Sequence, residues 1–344
     1  MKNNIISTWA VYSNNEMARK MCSSGGVFYE LSSYVLSYKG VVYGVAMDET
    51  LRFAKYRRIT EMGQIEPLLS SKYLQAKVGD TFIKVKKDLE AGFLVLFSGT
   101  GCIINGLVSF LNRHYDKLIC VDVICHGVPS PMIWSKYVDY IEKREKKRVT
   151  GVNFRYKGIG WEQFGLAKKN NGEVISFQTA GDDPYLQMFL RNYSLRPSCY
   201  HCRAKSTRHS DFSLGDFWGI DNVAPEMNDD KGTSLVIIRS EKGVMVFNSI
   251  KEHLTVKEVD YADAVKSNSA EYTSVIMPND RSQFFEDAKH KAFSALAKTY
   301  TPLSTKQKIK RVLMNPPFRK LLVLWGGRKR KLRTVVCNGE RLWK

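Results

Sequence analysis

The stretch Phe93-Leu94-Val95-Leu96-Phe97-Ser98-Gly99-Thr100-Gly101-Cys102 decides the fold. Its first five residues are continuously apolar, as a strand buried on both faces of a parallel sheet would be. Two glycines then turn the chain into Ile103 to Asn112, an apolar stretch that reads as a helix. Strand, glycine turn and helix in that order place Cys102 near the carboxyl end of a strand, where open α/β sheets put their ligands. The device repeats at once. Leu118 to Ile124 (LICVDVI) reads as the next buried strand and delivers Cys125-His126-Gly127 to the same edge. Two cysteine turns at the ends of two strands, with a helix between them, form a more specific pattern than either alone.

Working outward, Val41 to Ala46 (VVYGVA) reads as a further buried strand, and Lys55 to Ile59 as a short one. Before them, Ser23-Ser24-Gly25-Gly26 opens a helix predicted over Val27 to Tyr38. A glycine-rich helix start presents backbone N–H groups that suit a phosphate, and an ordinary helix start is the plainer reading. Ser70-Ser71-Lys72-Tyr73-Leu74-Gln75 is polar with one aromatic and precedes a helix-like stretch, Val78 to Ala91. Such a loop suits a planar cofactor and its phosphate, or simply caps the helix. Pro131 to Arg148 reads as a helix whose charged end is a solvated face. Strand-like pieces follow at Val152 to Tyr156, Phe164 to Lys168 and Val174 to Phe177, then a helix over Pro184 to Tyr193. Cys199-Tyr200-His201-Cys202 lies on a loop. The spacing C-x-x-C is compatible with zinc, with an iron–sulfur cluster or with redox thiols. Asp211 to Leu214 leads into Gly215-Asp216-Phe217-Trp218-Gly219, Ser234 to Arg239 is a strand, and the pattern beyond Tyr272 is mostly helical. The fold class is therefore α/β with an α+β admixture: an open, largely parallel sheet with flanking helices, a second mixed region holding the C-x-x-C, and a helical, then basic, C-terminal tail.

The chain has 344 residues, enough for one large or two medium domains, and its 44% hydrophobic content excludes global disorder. No apolar run approaches the roughly 20 residues of a membrane span, and the first residues lack the apolar core of a secretory signal. The seven cysteines are an odd number, which argues for a reducing, cytoplasmic compartment rather than a disulfide framework. Cys22, Cys120 and Cys337 read as structural thiols. The net charge of +19 is uneven: residues 305–344 carry 13 Lys/Arg against Glu340 alone, leaving +7 for the rest. The charge excess is thus mainly a property of the tail. Within it, Phe318 to Trp325 (FRKLLVLW) followed by Arg328-Lys329-Arg330-Lys331 suits a peripheral contact with an anionic membrane or an acidic partner, against a solvated end.

Taken together, these residues resemble the coenzyme F420 hydrogenase/dehydrogenase beta subunit family, shared by F420-dependent oxidoreductases and 7-hydroxymethyl chlorophyll a reductase. The matching motifs run in family order from about residue 20 to about 265. They are Ser23-Ser24-Gly25-Gly26-Val27-Phe28, Ser71-Lys72-Tyr73-Leu74-Gln75, Phe97 to Cys102, Val121 to Pro131, Phe154-Arg155-Tyr156-Lys157 with Gly160-Trp161, Leu195 to Cys202, and Ser210-Asp211-Phe212 with Gly215 to Gly219. The resemblance implies residues 21–98 as the family's N-terminal-like region, 99–270 as its C-terminal-like region, 1–20 as a lead-in and 271–344 as a helical segment and basic tail. It implies an oxidoreductase holding FAD and a 4Fe-4S cluster, moving electrons between cluster, flavin and a small-molecule or deazaflavin partner. Cys102, Cys125, Cys199 and Cys202 would be the cluster ligands. Ser24, Gly25, Gly26, Ser71, Lys72, Tyr73 and Gln75 would lie near the flavin, with Trp161 and Trp218 as candidate stacking partners or core residues. His126 is a candidate proton donor or tuner of the cluster, or a turn histidine. Asp216 is expected to pair with Arg155, Lys72 or a ligand, or to hold a turn.

Two departures qualify the resemblance. Many members begin with a ferredoxin-like segment bearing two C-x-x-C-x-x-C-x-x-x-C-P runs; residues 1–20 here hold no cysteine, so electrons are expected from a separate ferredoxin-like protein. The family turn usually reads T-P-C-Q, and here it is Thr100-Gly101-Cys102-Ile103. Members without the ferredoxin segment occur in surface-polysaccharide pathways, which leaves a non-catalytic electron-transfer or scaffold subunit as an alternative. A zinc-stabilised binding module is another. A nucleic-acid-binding protein is disfavoured, because the basic residues crowd the tail and no nucleic-acid motif is present.

Overall fold

A computed structural model describes residues 4–302. Twelve strands are present among them: β1 Ser7–Ser13, β2 Val41–Met47, β3 Ala54–Ile59, β4 Ala76–Lys77, β5 Val95–Thr100, β6 Leu118–Val123, β7 Gly151–Tyr156, β8 Gly165–Asn170, β9 Glu173–Thr179, β10 Phe212–Asp216, β11 Ser234–Ile238 and β12 Leu254–Glu258. Nine of them form one sheet in the order β12-β1-β11-β10-β6-β5-β2-β3-β4. The expected parallel arrangement holds at its centre, where β10, β6, β5 and β2 run the same way. Antiparallel neighbours join on both sides, at β3 and at β11, β1 and β12, so the whole sheet is mixed.

The continuous apolar runs are explained by burial on both faces. Val42, Leu96, Ile119 and Val121 face one side, under Leu31 and Val35 of the helix Val27–Ser37 and Val246, Phe247 and Ile250 of the helix Glu241–Ile250. Their chain neighbours Val41, Tyr43, Val95, Phe97, Leu118 and Cys120 face the other, under Ile104, Leu107 and Leu111 of the helix Gly101–Leu111. Alternation with period two therefore persists, but both phases are apolar. Cys120 belongs to this core, and burial pushes its thiol up.

Strands β7, β8 and β9 form a separate antiparallel sheet in that order. It packs with the helices Pro131–Glu145, Pro184–Leu190, Arg281–His290 and Phe293–Tyr300 around an aromatic core of Trp134, Tyr137, Phe154, Tyr185, Phe284 and Tyr300. A fully buried ion pair, Lys168 with Asp183 at 2.8 Å, is closed by the Tyr137 hydroxyl.

Three local features refine the sequence reading. The supposed lead-in, 1–20, holds β1, which lies between β11 and β12, and the helix Glu16–Met21. The 98/99 division falls inside β5, and the described residues through Thr301 form one compact unit. The glycine turn before Cys102 is also shorter than its sequence suggests, because β5 runs to Thr100 and the helix begins at Gly101. The tail assigned to 305–344, with Cys337, lies outside the described residues.

Candidate functional site

Three separate segments bring four cysteines to one place. Cys102 sits in the first turn of the helix Gly101–Leu111, and Cys125 follows β6 by two residues. Cys199 lies in the tight turn Pro197–His201, and Cys202 ends it. All four line one small cleft that is partly open to solvent. The cavity lies at the carboxyl ends of β5 and β6, where the sequence placed it. Cys199 is buried and its sulfur accepts the Val128 N–H at 3.4 Å; Cys102 is exposed. Burial pushes the Cys125 thiol up to about 12 and also raises Cys199. Thiols in such surroundings lose their protons to a metal rather than to neutral water, so loading would release protons. Among the described residues, no three His, Cys, Asp or Glu side chains are grouped so as to hold a single metal ion. Four thiols on one cleft are, by donor type, the set that a 4Fe-4S cluster takes.

Two basic side chains also line the cavity. Lys205 lines it and donates to the carbonyls of Cys125, at 2.6 Å, and Ala270. Arg208 lines it too, paired with Asp122 at 2.7 Å and Glu271 at 2.8 Å. Glu271 in turn pairs with buried Arg239. Gly101 explains part of this packing. A Cβ there would stand 3.1 Å from Ala204 Cβ and from Asp122 Oδ2, so the glycine that departs from the family turn leaves room for the Asp122–Arg208 pair. His126 also lines the cavity, but its Nε2 is held by Asn192 Oδ1 at 2.7 Å and its ring stands edge-on to Phe189. Burial lowers its pKa, which favours the neutral ring whose N–H donates to the Asn192 amide oxygen.

The residues expected near a flavin gather in a second group. Ser23 Oγ bonds Ser71 Oγ at 3.1 Å and accepts the Ser71 N–H at 2.8 Å, which joins the serine–glycine turn to the Ser71–Gln75 loop. Ser24 and Gly25 are bonded to the segment entering β11: Ser24 Oγ donates to the Thr233 carbonyl, and the Gly25 N–H to Ser234 Oγ. The Gly25 N–H is thereby committed within the fold. Gly26, at φ +92°, caps the helix Val27–Ser37 as the sequence suggested. Lys72 is turned inward onto the carbonyls of Leu69 and Ser70, and Lys157 onto those of Arg19, Ser24 and Lys231. Burial lowers Lys72 to about 7 and Lys157 to about 8. Cys22 is close enough to feel both lysines, yet burial still drives its thiol up to about 12.

Arg155 completes this group. It is 1% exposed and pairs with Asp216 at 2.7 Å, but its Nε and Nη1 have no partner. Asp216 thus takes the first of its expected partners, and the Trp161 indole N–H also donates to it at 2.9 Å. Trp161 and Trp218 stack on each other, with centroids 5.2 Å apart and planes 4° apart, and Arg155 lies 5.1 Å from the Trp218 ring. Buried Arg155, with the half-buried Lys72 and Lys157 near it and one carboxylate, Asp216, as its partner, offers N–H donors that suit an anion such as a pyrophosphate. Gln75 donates its backbone N–H to the Pro129 carbonyl. Tyr73 stacks on Phe189 at 4.8 Å, and Phe189 touches His126, so the aromatic chain Tyr73–Phe189–His126 links this group to the cysteine cavity. Sequence reasoning named Arg155 only as a partner of Asp216 and did not place Lys157, Lys205 or Arg208 in the site. Arg155 and Lys157 had a signal, since they alternate on one phase at the end of β7; Lys205 and Arg208 had none.

The sequence profile for the C terminus of the coenzyme F420 hydrogenase/dehydrogenase beta subunit matches residues 94–263. The chain belongs to that family. The matched span runs from just before β5 to just past β12 and takes in all four cysteines, Arg155, Lys157, Lys205 and Arg208. Membership of this beta-subunit family gives the chain an oxidoreductase role in electron transfer. Among solved structures, it is similar to a chain in the F420-reducing [NiFe] hydrogenase complex from Methanosarcina barkeri. Identity is 14% and the TM-score 0.52, over 74% of this chain and 82% of that one, a likeness of fold. No curated protein matches the chain. Among the described residues, no helix of this family member is long and apolar enough to cross a membrane.

Proposed function

We propose that this beta-type subunit is an iron–sulfur flavoprotein oxidoreductase that passes electrons between a partner protein and a small-molecule or deazaflavin substrate. The observation that carries the reading is the convergence of Cys102, Cys125, Cys199 and Cys202 on one cavity at the carboxyl ends of parallel strands. These four would hold a 4Fe-4S cluster. Lys72, Arg155 and Lys157 would hold the phosphates of FAD, with Ser24, Gly25, Gly26, Ser71, Tyr73 and Gln75 around them. When bound, the flavin supplies two-electron exchange and the cluster one-electron exchange.

The chain's own groups do the rest. Asp216 fixes the Arg155 guanidinium, which leaves two N–H-bearing nitrogens for an anion. The Trp161–Trp218 stack and Phe164, 3.5 Å from the guanidinium carbon, exclude water from it. His126, held by Asn192, orients the Cys125 turn. A multi-subunit setting, with a ferredoxin-like protein as electron donor or acceptor, agrees with the neighbour being a chain of a hydrogenase complex. A surface-polysaccharide pathway, a cytoplasmic location and a membrane contact through residues 305–344 belong to this proposal as well.

Anaerobic purification followed by iron, sulfide, zinc and flavin analysis tests it. About four irons per chain, broad absorption near 400 nm and about one FAD are expected. Zinc in place of iron, without flavin, would overturn the reading and leave a metal-stabilised binding module.

A further inference from the structure

The cysteine cavity is lined by the four thiols and also by two basic side chains, Lys205 and Arg208. The carboxylates that balance Arg208, Asp122 and Glu271, are fully buried and do not line the cavity, so they hold the guanidinium from behind. The Nε of Arg208 has no partner, and neither does Asp122 Oδ1. Arg208 and Arg239 share Glu271, and Lys205 is held beside Cys125 through its carbonyl. The helix Gly101–Leu111 also starts at this cavity, with the positive end of its dipole toward Cys102.

We infer that Lys205 and Arg208 are positioning residues that set the reduction potential of the group held by the four cysteines, holding it higher than thiolates alone would. The inference rests on the cluster reading. The physics is differential: a cluster ligated by four thiolates is anionic and gains one further negative charge on reduction. A fixed cation beside it therefore stabilises the reduced form more than the oxidised one. Burial keeps this interaction from being screened as a surface pair would be. Asp122 and Glu271 contribute by fixing where the Arg208 charge stands, and Gly101 contributes by leaving them room.

The test is a redox titration of the full-length holoprotein, followed by absorbance and electron paramagnetic resonance, with iron content measured for every variant. Arg208→Gln and Lys205→Met are each expected to retain iron and to become at least tenfold harder to reduce, about 59 mV lower for one electron. Arg208→Lys, which keeps the charge, is expected to return most of that shift. Lys205 is held by backbone carbonyls, so its variant decides the matter even if Arg208→Gln fails to fold. Unchanged potentials in iron-replete variants would overturn the inference, as would an Arg208→Lys shift equal to that of Arg208→Gln. A wild-type protein without iron would overturn the cluster reading itself, and this inference with it.

Discussion

The cysteines differ in exposure, and that difference orders their expected behaviour. Cys199 is buried among Phe189, Leu195 and Tyr200, whereas Cys202 is only partly buried and its N–H is tied to Ser274 Oγ at 3.0 Å. Changing either to serine should remove most of the bound iron while leaving the far-ultraviolet circular dichroism near wild type; iron retained in full by both variants would refute the ligand set. Lys72 and Lys157 give a pH dependence of definite sign. Both are depressed by burial, to about 7 and about 8, from an ordinary value near 10.4. Between these values the unfolded chain binds protons that the folded chain lacks, so their effect on stability without ligand becomes more favourable as pH rises through that window. A bound anion reverses the preference, because it stabilises the ammonium forms and takes up protons on binding. FAD affinity should therefore fall as pH climbs from 6.5 to 9, as read by calorimetric titration of apoprotein; affinity constant over that range would argue against these lysines as the phosphate group's partners.

At the level of elements, the strand ends do the positioning. β5 and β6 were legible because a strand buried on both faces leaves an unbroken apolar run, and their cysteine turns followed from the chain order. β1 was not, because STWAVYS mixes polar and apolar residues and its partners β11 and β12 lie more than 200 residues away. The basic lining of the cysteine cavity was illegible for the same reason of distance: Arg208 meets Asp122 across 86 positions and Glu271 across 63, and only those contacts make it a buried charge rather than an ordinary surface arginine. The paired tryptophans, read from sequence as stacking partners or core residues, stack on each other, with Trp161 buried in the core. The serine–glycine turn is held just as tightly: a Cβ on Gly25 would stand 2.3 Å from the Val11 carbonyl of β1 and 2.9 Å from the Ser234 nitrogen of β11. Because both obstacles are backbone, Gly25→Ala should cost about 1–3 kcal/mol in chemical denaturation. An unchanged midpoint would mean that the turn is looser than this contact requires.

At the scale of the whole molecule, the compact unit ending at Thr301 contains all four cysteines and the buried cations. Deleting residues 305–344 should leave iron and flavin content and the thermal midpoint unchanged, whereas deleting residues 1–13 should abolish soluble expression, because it removes β1 from between β11 and β12. Loss of cofactor on removing 305–344 would contradict the division of charge between body and tail. The place of β1 has a further consequence for biosynthesis. Val11 pairs with Ser234, 223 positions later in the chain. At a translation rate of about 5–20 residues per second, the nascent strand waits roughly 10–45 s for its partner to be made. Throughout that interval its apolar residues and unpaired backbone are open to chaperones and to wrong pairings. Among the strands of the main sheet, β1 thus emerges before all the others and its neighbours β11 and β12 after all the others, so part of the core is carried as a loose end until they appear.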